Sequence, residues 1–118
     1  MREKILWLNL TTILKEQNQN YLDKKISWHY HLFAGLRQFY RSKNINILEI
    51  GTFSGEFTNF LSKIYPDSQI TTIDLDENDK KFVSTYNRDY KENMKTFLQI
   101  REKNLNRENI NFIKMNSS

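Results

Sequence analysis

The stretch NILEIGTFSGEFTNFL, residues 46–61, decides the fold that the sequence predicts. An almost continuously apolar, β-branched run at 45–50 comes first, and such runs are typical of parallel strands covered on both faces. Apolar residues at helical spacing come next: Phe57, Phe60, Leu61 and Ile64. Between the two lie Gly51 and Gly55, two of only three glycines in the chain. The pattern therefore predicts a strand, a glycine turn and a helix.

The same alternation continues along the chain. Two further strands are predicted, at 69–75 and 109–115, with a helical segment at 78–104 between them. Strands that alternate with helices are typical of parallel sheets built from βαβ units. The sequence therefore predicts an α/β fold with a Rossmann-like parallel sheet of three strands.

A helical region precedes the first strand. Apolar residues at helical spacing predict helices at 3–18 and 28–40, and we expect Trp28 of the second helix to pack in the core. The chain is accordingly divided into an N-terminal helical cap, 1–43, and a Rossmann-like core, 44–118. Because a doubly wound sheet has a second half beyond its switch point, this core is expected to be partial and the chain a fragment.

The composition excludes several classes of protein. The 118 residues include no cysteine, which excludes disulfides and thiolate metal sites. No apolar run approaches the roughly 20 residues of a membrane span. The N-terminal segment has no small-residue cleavage signal, so we interpret it as an amphipathic helix and expect a cytoplasmic protein without a membrane partner.

The charges are unevenly distributed. Residues 1–48 carry eight basic and three acidic side chains, residues 49–79 one and seven, and residues 80–118 nine and four. A nucleic-acid-binding domain is expected to have a basic stripe with exposed aromatic residues. Here the acidic centre coincides with the glycine turn, which argues against nucleic acid as the partner, and RNA binding is kept only as a third hypothesis.

The glycine turn has the composition of a ligand site. Ligands of parallel α/β sheets bind beyond the carboxyl ends of the strands, where Glu49 and Asp74 are expected. Glycine reaches positive φ and lets a ligand approach the backbone, as we expect at Gly51 and Gly55. Asp74, at the end of the next strand, is placed to accept hydrogen bonds from ribose hydroxyls. These features together predict a nucleoside site, although a purely structural turn is the simpler alternative.

The spacing differs from the common phosphate-binding and nucleophile motifs. Phe53 stands where a dinucleotide fingerprint requires its second glycine, and Glu56 follows Gly55 where a P-loop requires lysine. Ser54 lies one place late for a nucleophile elbow. A turn that carries carboxylates favours a ligand with positive charge.

These segments resemble a known family. ILEIGTFSGEFT followed by ITTIDLDEND is similar to the first and second motifs of class I S-adenosylmethionine-dependent methyltransferases, over roughly residues 44–118. The resemblance implies S-adenosyl-L-methionine as cofactor and Glu49 as the acid that orders its methionine end. It also implies that the loop from Gly51 through Thr52 and Phe53 to Gly55 passes under the cofactor.

The resemblance also implies roles for three residues after the loop. Asp74 is expected to bind the ribose and Leu75 to pack against the adenine. Asn116 follows the third strand, where the family often has an acid that contacts the adenine amine. The methyl acceptor is expected to be a small molecule, because the helical segment resembles the cap of small-molecule methyltransferases. The family's catalytic residues lie in strands beyond this segment, so no catalytic residue is assigned.

Two other interpretations stay open. A half-sheet with an open strand edge predicts a non-catalytic module that associates with itself or with a partner chain. His29 and His31, two positions apart on a helix, point in different directions and are not expected to share a metal ion, so no metal site is predicted. Exposed or hydrogen-bonded histidines are expected, with a base that reaches an acceptor pocket as the alternative.

Overall fold

A computed structural model describes residues 28–37, 39–40, 44–85 and 91–116. The helices and strands, in chain order, are α1 (Trp28–Leu36), β1 (Asn46–Ile50), α2 (Glu56–Ile64), β2 (Gln69–Leu75), α3 (Lys80–Thr85), α4 (Lys91–Leu105) and β3 (Ile110–Met115). The helix predicted at 3–18 lies outside the described residues, as does most of the junction predicted near residue 43.

The three strands form one parallel sheet in the order β1-β2-β3. Glu49 of β1 pairs with Thr72 of β2, so Asp74 lies two residues further along the neighbouring strand. The described helices lie before and between the strands, as parallel connections require. The predicted α/β class, with a Rossmann-like parallel sheet preceded by a helix, is confirmed.

One face of the sheet carries the core. Phe60 and Leu61 of α2 and Ile70 of β2 are almost completely buried. The ring of Tyr30, from α1, also belongs to this cluster, and its centroid lies 4.7 Å from the centroid of the Phe60 ring. Burial of large apolar side chains contributes about 1.5–3 kcal/mol each, so this cluster holds α1, α2 and β2 together.

The prediction that Trp28 packs in the core was wrong. Its side chain is 85% exposed, and Leu32, one turn later, is also exposed. Tyr30 and Ala34 are buried instead. The first turns of α1 carry aromatic or apolar side chains on several sides, and contact with the rings of α2 selects the face with Tyr30.

The opposite face of the sheet is open to solvent among the described residues. Leu48 is 62% and Ile50 83% exposed, and Ile113 and Met115 of β3 are exposed on the same face. Side chains alternate between the faces of a strand, and β1 shows this alternation in its burial. Coverage of β1 on both faces, which its apolar run predicts, is therefore not seen in the part of the chain that the structure describes.

Matched valine substitutions test this difference between the faces. Ile70→Val is expected to lower the free energy of unfolding by about 0.5–1.5 kcal/mol, because it leaves a gap in the core. Ile50→Val is expected to change it by less than about 0.5 kcal/mol. Urea denaturation followed by circular dichroism measures both. Equal losses for the two variants would show that the face with Ile50 is covered in solution.

Candidate functional site

The turn after β1 has an unusual backbone. Gly51, Phe53 and Gly55 all have positive φ, of 94°, 52° and 79°. The loop is held by hydrogen bonds from Gly51 N to Ile73 O (2.8 Å) and from Gly55 N to Thr52 O (2.9 Å). A non-glycine residue at positive φ costs about 1–3 kcal/mol, and such strain concentrates at functional sites. Phe53 is therefore the residue of the loop whose conformation most calls for a functional reason.

Helix α4 packs against the loop and forms a hydrogen bond with it. Asn104 Nδ2 donates to Ser54 O at 2.9 Å, and Asn59 Nδ2, in α2, donates to Asn104 O at 2.8 Å. A Cβ at Gly55 would lie 3.1 Å from Leu105 Cδ2 and 3.2 Å from Asn104 Cβ. Gly55 is therefore required both by its positive φ and by the close approach of α4.

A hydrogen bond to the side chain of Asp74 joins the loop to β2. Its Oδ2 accepts a hydrogen bond from Phe53 N at 2.8 Å, and its Oδ1 accepts one from Leu75 N at 2.7 Å. Each carboxylate oxygen has two acceptor positions, so both oxygens keep one for a ligand. The carboxylate that is predicted to bind a ribose thus also fixes the strained residue of the loop.

Among the described residues, only one of the two carboxylate oxygens of Glu49 accepts hydrogen bonds. Its Oε1 accepts hydrogen bonds from Thr72 Oγ1, at 2.6 Å, and from Thr58 Oγ1. None of the hydrogen bonds among the described residues reaches Oε2. Both partners of this carboxylate are neutral hydroxyls, so Oε2 is the acceptor that remains for a positively charged ligand group.

Burial of Glu49 raises the pKa of its carboxyl above the ordinary value. The hydrogen bonds from Thr58 and Thr72 oppose this shift, as does the positive charge of His29 from α1. The negative charge of Asp74 adds to it. Perturbed pKa values are concentrated at functional sites, so Glu49 is a candidate for a ligand-binding residue.

A second carboxylate provides a contrast. Glu77, in the loop after β2, forms ion pairs with Lys114 Nζ (2.7 Å) and with Arg101 Nη2 (3.3 Å). Burial opposes the ionisation of Glu77, but the hydrogen bond and charge of Lys114 and the charge of Arg101 outweigh it and lower its pKa. Glu77 therefore has the environment of a structural ion pair that links β2, α4 and β3, whereas Glu49 does not.

The remaining predicted site residues are placed as follows. Thr52, a residue of the loop, is buried, and its Oγ1 lies 2.7 Å from Thr72 Oγ1. The ring of Phe53 is half exposed and contacts the ring of Phe97 at 5.5 Å. Leu75 is partly exposed at the end of β2. The structure thus brings Glu49, Thr52, Phe53, Asp74 and the two glycines together.

Asn116 is not joined to this group. It is exposed directly after β3, and none of the described hydrogen bonds connects it to the glycine turn or to Asp74. The nearest link between the two strand ends is the hydrogen bond from Asp76 N to Met115 O, at 2.9 Å. The role of Asn116 at an adenine stays a prediction.

Two residues of the site were missed by the sequence reasoning, and the contact of a third, His29, with Glu49 was not predicted. Thr58 and Thr72 bind Glu49, and His29 lies close enough for its charge to act on this carboxyl. Thr72 and Asp74 stand at alternate positions of β2 and so share one face, which is a signal that the sequence does contain. Nothing in the sequence indicates which residue of α1 approaches the turn.

Among the residues that the structure describes, no group of three or more histidine, aspartate or glutamate side chains is placed to hold a metal ion. No helix in the described ranges is long and apolar enough to cross a membrane.

Comparisons with known proteins find no match: no family model, no curated protein and no solved structure is similar to this chain.

Alanine substitutions of glycine test the packing of the turn. Gly55→Ala is expected to destabilise the protein by at least about 1–2 kcal/mol, because of its positive φ and the contact with α4. Gly35→Ala is the control: it lies in α1 with no atom near the added Cβ and is expected to stabilise by about 0.4–1 kcal/mol. Thermal unfolding measures both. A Gly55→Ala variant as stable as the parent would contradict the described turn.

Proposed function

We propose that this chain binds S-adenosyl-L-methionine at the glycine turn and is the cofactor-binding part of a cytoplasmic methyltransferase whose acceptor is a small molecule. The observation that carries the proposal is the pair of carboxylates at adjacent strand ends, with Glu49 Oε2 left open and Asp74 fixed against the loop. The two acids bracket a loop over which an elongated nucleoside can lie.

Each part of the cofactor has a partner of suitable chemistry. The ammonium of the methionine moiety suits the open oxygen of Glu49, and the ribose hydroxyls suit the remaining acceptor positions of Asp74. The N-cap residue of α2 is Gly55, which has no side chain to cap the helix, and the start of a helix favours an anion such as the methionine carboxylate. The positive sulfonium is compatible with the acidic surroundings.

Phosphate-containing ligands fit the turn less well. The carboxylate of Glu49 repels a phosphate placed on the loop, and Glu56 adds a second negative charge at the start of α2. The side chain of Phe53 occupies the position at which a dinucleotide's pyrophosphate needs glycine. S-adenosyl-L-methionine carries no phosphate, and the negative charge of its carboxylate is offset by its own ammonium and sulfonium.

Methyl transfer from a sulfonium requires alignment and a suitable electrostatic environment rather than a covalent intermediate. The described residues supply both for the cofactor through Glu49, Asp74 and the loop between them. The acceptor and the groups that activate it are not assigned to any residue of the chain.

The open sheet face favours a second candidate function. Leu48 and Ile50 expose an apolar surface that a partner chain or a second copy would cover. A non-catalytic module of this kind would form assemblies in light scattering and would show no response to the nucleoside, so the binding experiment separates the two functions.

Two isosteric substitutions test the cofactor site by isothermal titration calorimetry with S-adenosyl-L-methionine. Glu49→Gln keeps an oxygen for both threonine hydroxyls but loses the charge, and we expect affinity to fall about tenfold or more. Asp74→Asn is expected to weaken binding by about 1–3 kcal/mol, because the amide nitrogen cannot accept from Phe53 N or from a ribose.

Asp67→Asn is the matched control, because Asp67 is exposed in the turn before β2, at the opposite end of the sheet. The affinity of the Asp67→Asn variant for S-adenosyl-L-methionine should equal that of the parent. Absence of heat from the folded parent protein at millimolar ligand would reject the site, and unchanged affinity in Glu49→Gln would remove Glu49 from it.

The pH dependence of binding tests the role of the Glu49 charge. Since burial raises the pKa of Glu49, the carboxylate gains its proton at a higher pH than an exposed glutamate does. We expect affinity to decrease as the pH falls through this raised pKa, because the ammonium is attracted only by the ionised form. His29 and Asp74 also face this carboxyl, so Glu49→Gln serves as the background. Calorimetric titrations across this pH range should give a steeper decrease for the parent than for the variant; parallel profiles would contradict the assignment.

A further inference from the structure

Two buried hydroxyls bind one oxygen of Glu49, and a third hydroxyl contacts one of these two. Thr52 of the loop, Thr58 of α2 and Thr72 of β2 are each at most 4% exposed. Thr58 and Thr72 both donate to Glu49 Oε1, and Thr52 Oγ1 lies 2.7 Å from Thr72 Oγ1. One carboxylate oxygen thus joins the loop, the helix after it and the neighbouring strand.

The direction of these hydrogen bonds follows from proton counting. An ionised carboxylate only accepts, so the single hydroxyl proton of Thr72 points to Glu49 Oε1. Thr72 is then the acceptor in its contact with Thr52, and Thr52 is the donor. The chain Thr52 to Thr72 to Glu49 therefore has one polarity, in which each bond strengthens the next.

These hydrogen bonds do more than give each buried hydroxyl a partner within its own helix or strand. Ser62, which is also buried in α2, donates to the carbonyl of Asn59 in its own helix. Thr58 and Thr72 instead direct their protons to a side chain of another element. Thr71, adjacent to Thr72 but on the other face of β2, takes no part in the described hydrogen bonds of the site.

We propose that Thr72, with Thr52 and Thr58, is a positioning group that holds Glu49 by Oε1, directs Oε2 at the cationic end of the ligand and couples the charge of Glu49 to the position of Thr52 in the glycine loop. The ligand assignment in this inference rests on the proposed function; the coupling within the free protein does not. Thr72 acts through Glu49 and does not itself contact the ligand.

The coupling is tested first in the free protein. The Glu49 side-chain carboxyl is titrated by ¹³C NMR in the parent and in Thr72→Val, Thr72→Ser and Thr71→Val. Loss of the Thr72 hydroxyl removes a hydrogen bond to the ionised form, so its titration midpoint is expected to rise by about one pH unit. Thr72→Ser should keep the parent midpoint and Thr71→Val should leave it unchanged. An unchanged midpoint in Thr72→Val would overturn the proposal.

Thr52→Val provides a second variant in case Thr72→Val does not fold. It removes the first donor of the chain but leaves Thr72 bound to Glu49, and a smaller upward shift of the Glu49 midpoint is expected. The amide resonance of Gly51 should also follow the Glu49 titration in the parent and lose this dependence in Thr52→Val. A parent protein in which Gly51 does not respond to Glu49 would contradict the coupling.

Calorimetry with S-adenosyl-L-methionine then tests the positioning. Thr72→Val is expected to bind about tenfold more weakly than the parent at neutral pH, with Thr72→Ser and Thr71→Val within about twofold. A parent that binds and a Thr72→Val variant that binds equally well would overturn the positioning role alone. A parent that does not bind would overturn the proposed function, while the NMR titration still decides on the coupling.

Discussion

The constraint on which the site depends is the placement of a carboxylate, Glu49, at the end of β1, where its hydrogen-bond partners among the described residues are threonine hydroxyls. Burial there disfavours the charged form, and two threonine hydroxyls compensate in part. An ion pair within the protein would remove the penalty, as Lys114 and Arg101 do for Glu77. At Glu49 the two hydroxyls and the charge of His29 offset the penalty only in part, and a ligand with an ammonium group would offset more of it on binding.

The strained loop is the second part of the same arrangement. Phe53 adopts a positive φ that its side chain disfavours, and its amide is held by Asp74 from the neighbouring strand. Gly55 lets α4 approach to within contact distance and starts α2 directly after the loop. Two strands and two helices therefore determine the position of five backbone residues. This preorganisation lowers the entropy cost of ordering the loop around a ligand.

Much of this architecture was predictable because its signals are local. The apolar run before Gly51 predicted β1, the helical spacing after Gly55 predicted α2, and the acid after the next apolar run located Asp74 at the strand end. The orientation of α1 was not predictable, since aromatic residues surround that short helix and Trp28 and Tyr30 compete for the core. Tertiary contact with the rings of α2 decided between them.

The hydrogen-bonded threonines of the site were also difficult to predict from sequence, because their contacts are not local. Thr72 has a sequence signal, a polar residue at an alternate position from Asp74, but Thr52 and Thr58 look like ordinary turn and helix residues. The contacts of Thr52 with Thr72 and of Thr58 with Glu49 depend on the register of β1 with β2 and on the angle at which α2 leaves the loop. Coverage of Leu48 and Ile50 is another non-local property, because the strand pattern alone predicts two covered faces and the described residues cover one.

The most direct test of the account is a ¹H–¹⁵N NMR titration of the folded chain with S-adenosyl-L-methionine. The amide resonances of Gly51, Phe53, Gly55 and Leu75 are expected to shift in a saturable manner, since these residues form the loop and the strand end that bracket the ligand. Resonances of the turn before β2, around Asp67, should stay in place. A titration that leaves the loop resonances unmoved, or that moves only residues remote from Glu49 and Asp74, would contradict the assignment of the glycine turn as a nucleoside site.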